Sequence, residues 1–214
     1  MNRTKIINLL ANKISAKSYL EIGTRIHSHN YDKINIPNKV GVDPCIVKFD
    51  REPTYKLTSD EFFFQNQNYF DIIFIDGLHE AQQFYRDIVN SLSFLNKGGY
   101  IICHDLNPKN YYRQLRFNDP QRIAFINRPH NKYPNLWSGD IWKAWVELKT
   151  ERFDLNMFVI NADFGCGVIQ RGSQDLLDLG GLDLTYKNFC QNRKRWLNLI
   201  SKQDFINFLS NDKN

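Results

Sequence analysis

The length and composition of the chain indicate one folded domain. Of its 214 residues, 42% are hydrophobic and 14% are aromatic, enough to bury a sizeable core and too many for a disordered chain. This length suits one α/β domain with an insertion, whereas two full domains would be cramped. The formal net charge of +5 is matched by five basic residues, with no acidic one, between Lys187 and Lys202. Such a local excess in an amphipathic stretch indicates a solvated helix face, with a phosphate-binding patch as the alternative.

No segment has the features of a signal peptide or a membrane span. The apolar run near the N-terminus is too short for a signal peptide, and no run of about 18 apolar residues occurs. The cysteines are scattered without a CxxC pair, and two of them lie in strand-like runs where a thiol usually packs as a small hydrophobe: Cys45, Cys103, Cys166 and Cys190. A reduced, cytoplasmic setting is the simplest expectation.

In chain order, the apolar residues alternate between helical and strand-like spacing. A helical stripe covers 4–15, strand-like runs cover 18–23, 39–43 and 70–76, a helical stripe covers 81–95 and closes at Lys97-Gly98-Gly99, a strand-like run covers 100–104, and runs at 155–161 and 165–170 suit an antiparallel pair at the end of a sheet. Short apolar strands that alternate with helices indicate parallel βαβ units covered on both faces. The predicted fold class is therefore α/β.

Acidic, small or imidazole residues follow four of these strands. They are Glu21 and Gly23, Asp43, Asp76 and Gly77, and His104 and Asp105. In parallel sheets, ligands collect at the carboxyl ends of the strands, near the switch in strand order. Four strands that deliver such residues to one edge predict a site there.

The first two of these strands predict a nucleoside site. Gly23 lets the backbone approach a ligand and turn sharply, although a tight structural turn is the alternative. Asp43 follows Gly23 by 20 residues, the spacing at which a carboxylate can accept both hydroxyls of an adenosine ribose. No G-x-G-x-x-G is present, so a mononucleoside cofactor is favoured over a dinucleotide. Thr58 and Glu61 form a predicted capping box, and Ser59 and Asp60 at the same helix start are candidates for the adenine.

The stretch DGLH at 76–79 carries the predicted chemistry. Asp76 can meet the positive sulfonium region of a cofactor or a divalent metal, and His79 can take a proton, with helix capping as its alternative role. Asp76, His104 and Asp105 offer oxygen and imidazole ligands that suit Mg²⁺ or Mn²⁺. A metal there would lower the pKa of an acceptor hydroxyl. Alternatively, Asp105 only holds the acceptor or caps the following loop.

Several blocks of the sequence resemble a known family. The run FDIIFIDGLHEAQQFYRDIVNSLSFLNKGGYIICHDLNP resembles methyltransferase domain 24, among the class I S-adenosylmethionine-dependent enzymes. YLEIGT, KVGVDP and TSDEFF are similar to its earlier blocks, and GDIWKAWVELK, DFGCGVIQRG and LTYKNFCQNRKRWLNLIS are similar to the late blocks of bacterial members. The resemblance implies a Rossmann-like, doubly wound sheet of seven mostly parallel strands with the last strand antiparallel.

The resemblance also implies roles for individual residues. The cofactor would lie over the first two strands and contact Glu21, Gly23, Thr24, Asp43, Ser59, Asp60, Asp76 and Gly77. Metal-dependent macrolide-sugar O-methyltransferases, which are more distant relatives, have an aspartate that binds Mg²⁺ and a histidine that acts as general base, at positions that match Asp76 and His79. Their fifth strand ends in two acidic ligands where this chain has His104-Asp105. The loop Thr24-Arg25-Ile26-His27 replaces the usual small residues, and Arg25 and His27 are candidates for the methionine carboxylate or the acceptor.

Two further segments have expected roles. The stretch 107–138 is polar, aromatic and irregular, which favours an acceptor lid inserted after the fifth strand, unless its aromatic residues form the core of the insertion: Tyr111, Tyr112, Tyr133 and Trp137. The stretch 176–214 is expected to be a C-terminal helical extension of the single domain.

The predicted function is S-adenosylmethionine-dependent O-methylation of a small molecule or of a sugar or glycan hydroxyl. His79 would be the base, and Asp76 and Asp105 would organise the acceptor, with or without Mg²⁺ or Mn²⁺. The alternatives are a nucleic-acid methyltransferase and a non-catalytic nucleotide- or dinucleotide-binding module. No membrane partner is expected, and the sequence leaves both a monomer and a homo-oligomer open.

Overall fold

A computed structural model describes residues 1–46, 48–129 and 137–210. The strands are β1 Ser18–Ile22, β2 Asn38–Val42, β3 Phe70–Ile75, β4 Leu95–Cys103, β5 Leu155–Ile160, β6 Cys166–Arg171 and β7 Leu199–Ile200. The helices are α1 Arg3–Ile14, α2 Ser59–Gln65, α3 Ala81–Ser93, α4 Pro120–Ile126, α5 Ile141–Glu151, α6 Tyr186–Leu197 and α7 Lys202–Ser210, with 3₁₀ turns at His27–His29, Tyr31–Lys33 and Tyr111–Gln114. Tyr133 and the last four positions of the expected C-terminal extension lie outside the described residues.

The seven strands form one sheet in the order β2-β1-β3-β4-β6-β5-β7. Every neighbouring pair is parallel except those that involve β6, which runs antiparallel to both β4 and β5. The predicted α/β class and the mostly parallel sheet are confirmed. The antiparallel strand is β6, the last strand longer than two residues, and the two-residue β7 then pairs in parallel with β5. The strand order reverses between β1 and β3, so this is where a ligand is expected.

One predicted boundary was wrong. The glycines of Lys97-Gly98-Gly99 lie inside β4, and do not close a helix: α3 ends at Ser93 and Leu95 already pairs with Phe70 on β3. The register then shifts before Tyr100 pairs with Ile72. Gly98 has a φ of 79°, a left-handed conformation that favours glycine and permits the bulge. A glycine pair thus marks a bulge in a strand as readily as the end of a helix.

The core lies on both faces of the sheet because alternate strand residues point in opposite directions. On β3, Ile73 and Ile75 pack into the cluster that includes residues of α2, α3, α5 and α6, whereas Ile72 and Phe74 pack into the cluster that includes residues of α1 and α7. The first cluster contains three fully buried tryptophans, namely Trp142, Trp145 and Trp196. Helices cover both faces of the sheet, so the sheet is held rigidly. Loops follow the carboxyl ends of its parallel strands, and this end of the sheet is its carboxyl edge.

The structure also shows where the cysteines and the basic stretch lie. Cys103 and Cys166 are buried in β4 and β6, and all four cysteines are unbridged. In the basic stretch, Phe189 and Trp196 of α6 are buried while Lys187, among other basic residues, is exposed, which is the arrangement of a solvated helix face. Within the described residues, no helix combines the length and the apolar character needed to cross a bilayer.

Candidate active site

Three loops and the first turn of α1 bring ionisable side chains together at the carboxyl ends of the strands. Asp76 follows β3, and His104 and Asp105 follow β4, its parallel neighbour. Asp163 lies in the turn between β5 and β6, and Arg3 begins α1. The sequence predicted the meeting of Asp76, His104 and Asp105, whereas Arg3 and Asp163 were not singled out.

His104 lies at the centre of this cluster. It is 3% exposed, and its Nδ1 lies 3.3 Å from Asp76 Oδ1 and 3.2 Å from Asp105 Oδ2. Its Nε2 lies 3.5 Å from Asp163 Oδ2 and 3.4 Å from Arg3 Nη1. A buried imidazole thus has carboxylates at both of its nitrogen atoms.

These neighbours control the protonation of the cluster. Burial alone would lower the pKa of His104, but the charge of Asp76 and the close carboxylates of Asp105 and Asp163 raise it well above its usual value. Burial alone would raise the pKa of Asp76, yet His104 and then His79 hold it far below its usual range. Asp76 and His104 therefore stabilise each other's charged forms.

His79 lies beside this cluster in a fixed orientation. Its Nδ1 is 3.1 Å from the carbonyl oxygen of Trp137, so an Nδ1–H can donate there, and its Nε2 is 3.2 Å from Asp76 Oδ1 and 3.9 Å from Asp105 Oδ2. The ring also packs 5.0 Å from the Trp137 ring. Burial alone would lower the pKa of His79, but the hydrogen bond with Asp76 and the charge of Asp105 raise it. The geometry fixes which nitrogen faces the carboxylates.

The loop that holds His79 is braced by the end of the insertion. Gly139 has a φ of 64°, and a Cβ there would lie 1.8 Å from the His79 carbonyl oxygen. The next residue, Asp140, accepts a hydrogen bond from the Ala81 amide at 2.8 Å, which satisfies one of the free donors at the start of α3. Because of this close approach, only a glycine fits between the insertion and His79.

The predicted cofactor loop lies directly beside Asp76. Gly23 has a φ of 90°, and a Cβ there would lie 2.3 Å from the Asp76 carbonyl oxygen. Thr24 is buried with its Oγ1 unpaired among the described atoms. Glu21 is also buried and accepts hydrogen bonds from Tyr19 and Asn30, and burial raises its pKa to about 7. The glycine expected from the sequence therefore allows the loops after β1 and β3 to touch.

Asp43 ends β2 and shapes the same loop. It is 8% exposed, and its two oxygens accept hydrogen bonds from the backbone amides of Arg25 at 2.9 Å and Cys45 at 2.7 Å. A carboxylate has about four lone-pair sites, so acceptor capacity is left for a ribose hydroxyl. His27 is buried, and its backbone N–H and Nδ1 both contact Asp50 Oδ1 at 3.0 Å. It therefore anchors the loop, whereas the sequence offered His27 as a candidate for the methionine carboxylate or the acceptor.

The start of α2 has the capping box that the sequence predicted, with Thr58 and Glu61 bonded reciprocally. Gln83 on α3 donates to Ser59 Oγ and Asp60 Oδ1, each at 3.1 Å, and to Asp87 Oδ1 at 2.9 Å. Asp87 is 1% exposed, and burial raises its pKa to about 6. Its position in an apolar helix pattern offered no sign of this polar contact. An open cavity of about 610 Å³ next to α2 includes Asp60 but none of the His–Asp cluster.

The donor set of the cluster fits a divalent cation. Donor atoms of Asp76, His79 and Asp105 all lie within 4.8 Å of one another. His104 Nδ1, which faces two of these carboxylates, is buried and has no well-oriented hydrogen-bond partner among the described atoms. Carboxylate oxygen and imidazole nitrogen are ligands that Mg²⁺ and Mn²⁺ accept.

Comparison with known proteins bears on the fold and on the central segment. Residues 47–106 match the family described as a methyltransferase domain, and no curated protein sequence matches the chain. A solved protein of Klebsiella pneumoniae, assigned as an O-methyltransferase, is 13% identical, with 80% of each chain covered and a TM-score of 0.51. The methyltransferase of Podospora anserina, solved with bound S-adenosylhomocysteine, is 13% identical over 77% of this chain and 76% of that chain, with a TM-score of 0.49.

At these identities, the likeness to solved structures concerns the fold. The sheet order and the likeness to the Klebsiella pneumoniae protein show the Rossmann-like fold of methyltransferases, and the family match covers residues 47–106. The resemblance to the methyltransferase domain family that was found in the sequence is thereby confirmed.

Proposed function

We propose that the chain transfers a methyl group from S-adenosylmethionine to a hydroxyl of a small molecule or glycan. The observation that carries this proposal is the fixed position of His79 Nε2 beside Asp76 and Asp105, at the edge where Gly23 meets the Asp76 backbone. A base beside a cofactor loop suits an acceptor that must lose a proton. The assignment of the Klebsiella pneumoniae protein as an O-methyltransferase supports the same reaction type.

His79, Asp76 and Asp105 would have different roles in the reaction. Hydrogen bonding to the Trp137 carbonyl keeps His79 Nδ1 protonated, so Nε2 is the nitrogen that takes the acceptor proton. The acceptor oxygen forms a bond to the methyl carbon while the carbon–sulfur bond breaks and the sulfonium becomes a neutral thioether. Asp76 and Asp105 hold the acceptor and the histidine in line, so that proximity and alignment supply most of the rate enhancement.

Asp76, His104 and Asp105 would hold a divalent metal, because His104 Nδ1 lies 3.3 Å from Asp76 Oδ1 and 3.2 Å from Asp105 Oδ2. His79, which also lies within reach of Asp76 and Asp105, would then act as the base and not as a ligand. Asp163 faces the far nitrogen of His104 at 3.5 Å, as the outer partner of a metal-binding imidazole often does. When bound, Mg²⁺ or Mn²⁺ would lower the pKa of the acceptor hydroxyl. Electron paramagnetic resonance should show saturable Mn²⁺ binding that Asp105→Asn weakens at least tenfold. Equal Mn²⁺ binding by the two proteins would remove this assignment.

We also propose that the insertion at 107–138 covers the acceptor. Its described part carries stacked rings, with Tyr112 and Phe125 at 4.3 Å, and Trp137 contacts His79 directly. Aromatic faces next to the base suit a sugar or an aglycone. The C-terminal helices belong to the same single domain, because α6 packs on the sheet through Phe189 and Trp196.

Calorimetric titration tests the proposed cofactor and thereby the function. We expect S-adenosylhomocysteine to bind and NAD to give no binding heat, because the loop after β1 has one glycine and no cradle for a diphosphate. Asp43→Ala should weaken S-adenosylhomocysteine binding at least tenfold, and Asp178→Ala, an exposed carboxylate remote in sequence, should not. Binding of NAD alone would show that the chain is a dinucleotide module instead.

A further inference from the structure

We propose that Lys109, Arg113 and Arg193 form a binding site for a phosphate group that the acceptor carries. This inference rests on the proposed function, since it names a chemical class of acceptor for that reaction. Lys109 and Arg113 belong to the insertion at 107–138, and Arg193 belongs to α6. We call these three residues the basic cluster.

Contacts between the insertion and α6 bring the basic cluster together. The Tyr186 hydroxyl donates to the Pro108 carbonyl oxygen at 3.2 Å, and the Tyr186 ring lies 5.9 Å from the Tyr111 ring. Arg193 follows Tyr186 by seven residues on α6, which is two helical turns and therefore the same face of the helix. The face of α6 that carries Arg193 is thus the face that meets the segment 108–111.

Aromatic rings hold both guanidinium groups of the basic cluster. The Cζ atom of Arg193 lies 4.9 Å from the centre of the Phe189 ring, and that of Arg113 lies 5.7 Å from the centre of the Phe164 ring. A guanidinium held over a ring keeps the N–H donors in its plane, in a fork that matches the oxygens of a phosphate. One donor, Arg193 Nη2, contacts Cys190 Sγ at 3.5 Å, and a thiol is only a weak acceptor. Both side chains are therefore oriented while most of their donors remain free for a ligand.

The positive charge of the basic cluster is not neutralised by a neighbouring carboxylate. Within the described part of the chain, no carboxylate oxygen lies within 4.0 Å of a side-chain nitrogen of Lys109, Arg113 or Arg193. Burial and then the charges of Arg193 and Arg113 lower the pKa of Lys109, so both guanidinium groups repel this ammonium group. A dianion between them would relieve the repulsion, and a phosphate monoester carries a charge of about −1.5 to −2 at neutral pH.

The basic cluster borders the proposed active site. The Arg113 carbonyl oxygen accepts a hydrogen bond from the Gly139 amide at 3.0 Å, and Gly139 packs against His79. Phe164, the ring beside the Arg113 guanidinium, directly follows Asp163 at the carboxyl edge. An acceptor with its hydroxyl at His79 and its phosphate at the basic cluster would therefore contact the insertion at both ends.

Calorimetric titration with inorganic pyrophosphate tests the binding site. At low salt and without divalent metal, the wild type should bind one pyrophosphate saturably. The double variant Lys109→Met/Arg193→Met should bind it about tenfold more weakly, because each change removes a charge-assisted contact. The affinity of this variant for S-adenosylhomocysteine should be unchanged, which shows that its fold is intact.

A second double variant is the matched control. Lys187→Met/Lys194→Met also removes two positive charges, and both lysines are exposed on α6. Lys194 directly follows Arg193, so these lysines lie on a face turned by about 100° from that of Arg193. The control should bind pyrophosphate as the wild type does.

Pairs of acceptors test whether the phosphate belongs to the substrate. Each pair consists of a hydroxylated sugar and its phosphate ester, for example glucose and glucose 1-phosphate, and the rate is measured as S-adenosylhomocysteine released. The wild type should prefer the esters, and Lys109→Met/Arg193→Met should lose that preference through a KM about tenfold higher, with kcat within about twofold. The control pair of substitutions should keep the preference.

Each other outcome overturns the proposal in a distinct way. Equal pyrophosphate binding by the wild type and Lys109→Met/Arg193→Met would remove the site and leave the proposed function standing. An equal loss in the control would show that the whole basic face of α6 attracts polyanions, as a nucleic-acid methyltransferase requires. Faster methylation of the unphosphorylated sugars would refute the acceptor class even if pyrophosphate binds. A wild type that binds pyrophosphate but not S-adenosylhomocysteine would refute the proposed function, and the acceptor class with it.

Discussion

The two halves of the carboxyl edge are built in different ways. Beyond β3 and β4, the site consists of side chains from several elements that meet around His104, with carboxylates at both of its ring nitrogens. Beyond β1 and β2, the site is shaped by contacts to the backbone. Gly23 packs against the Asp76 carbonyl, and both side-chain oxygens of Asp43 accept hydrogen bonds from the backbone amides of Arg25 and Cys45.

Under the proposed function, the β3–β4 half would carry the methyl transfer and the β1–β2 half would bind the cofactor. Side chains at the β3–β4 half can be replaced without moving the main chain, so their loss should reduce the rate and leave the cofactor bound. The β1–β2 half holds its shape through close backbone contacts, so changes there should weaken cofactor binding and stability together. Three substitutions would break or sharpen this contrast.

The largest effect is expected at His79, the proposed base. His79→Gln keeps a polar side chain but cannot take the proton, so methyl transfer to a hydroxylated acceptor should fall about 10²–10⁴-fold. The rate is measured as S-adenosylhomocysteine released with a panel of hydroxylated small molecules. Its affinity for S-adenosylhomocysteine should stay within about twofold of the wild type. Glu80→Gln, at the neighbouring position, is the control and should be nearly silent, whereas full activity of His79→Gln would refute the assignment of the base.

A smaller effect is expected at Gly23, on the free energy of unfolding. An alanine Cβ would lie 2.3 Å from the Asp76 carbonyl oxygen, at a φ of 90°. Strain and overpacking together should lower the free energy of unfolding by about 2–4 kcal/mol, measured by urea denaturation, and should weaken S-adenosylhomocysteine binding. Gly180→Ala is the matched control, because Gly180 also has a positive φ, 59°, but a Cβ there meets nothing within 4 Å. If the two variants lose the same stability, close approach of the two loops is not what requires Gly23.

The smallest effect is expected between the two halves, at Asp87 on α3. Burial raises the pKa of Asp87 above its ordinary value, to about 6, so the folded state favours the protonated carboxyl. The stability that this provides is fully present below about pH 4 and is lost as the pH rises to about 6. Asp87→Asn should therefore gain about 1–2 kcal/mol relative to the wild type on going from pH 4 to pH 8. Thermal unfolding at both pH values measures the gain, and a constant difference would show that the carboxyl is ionised throughout.

The sequence alone determined the strands of the carboxyl edge and the residues that follow them. Periodicity places a strand before Asp76 and another before His104, and parallel neighbours must end at the same edge, so the meeting of these side chains was predictable from local pattern. The capping box at Thr58 and Glu61 was predictable for the same reason. Glycine was less informative, since Gly98 and Gly99 are in a strand bulge where the pattern favoured a helix end.

Only the tertiary structure decided what surrounds those residues. Trp137 orients His79 across 58 positions of the chain, Asp163 reaches His104 from the turn between β5 and β6, and Arg3 comes from the first turn of α1. None of these partners lies within a helical turn or a strand repeat of the residue that it contacts. Their meeting depends on how the antiparallel β5–β6 pair and α1 pack against the sheet, and that packing is set by the whole core rather than by any local run of residues.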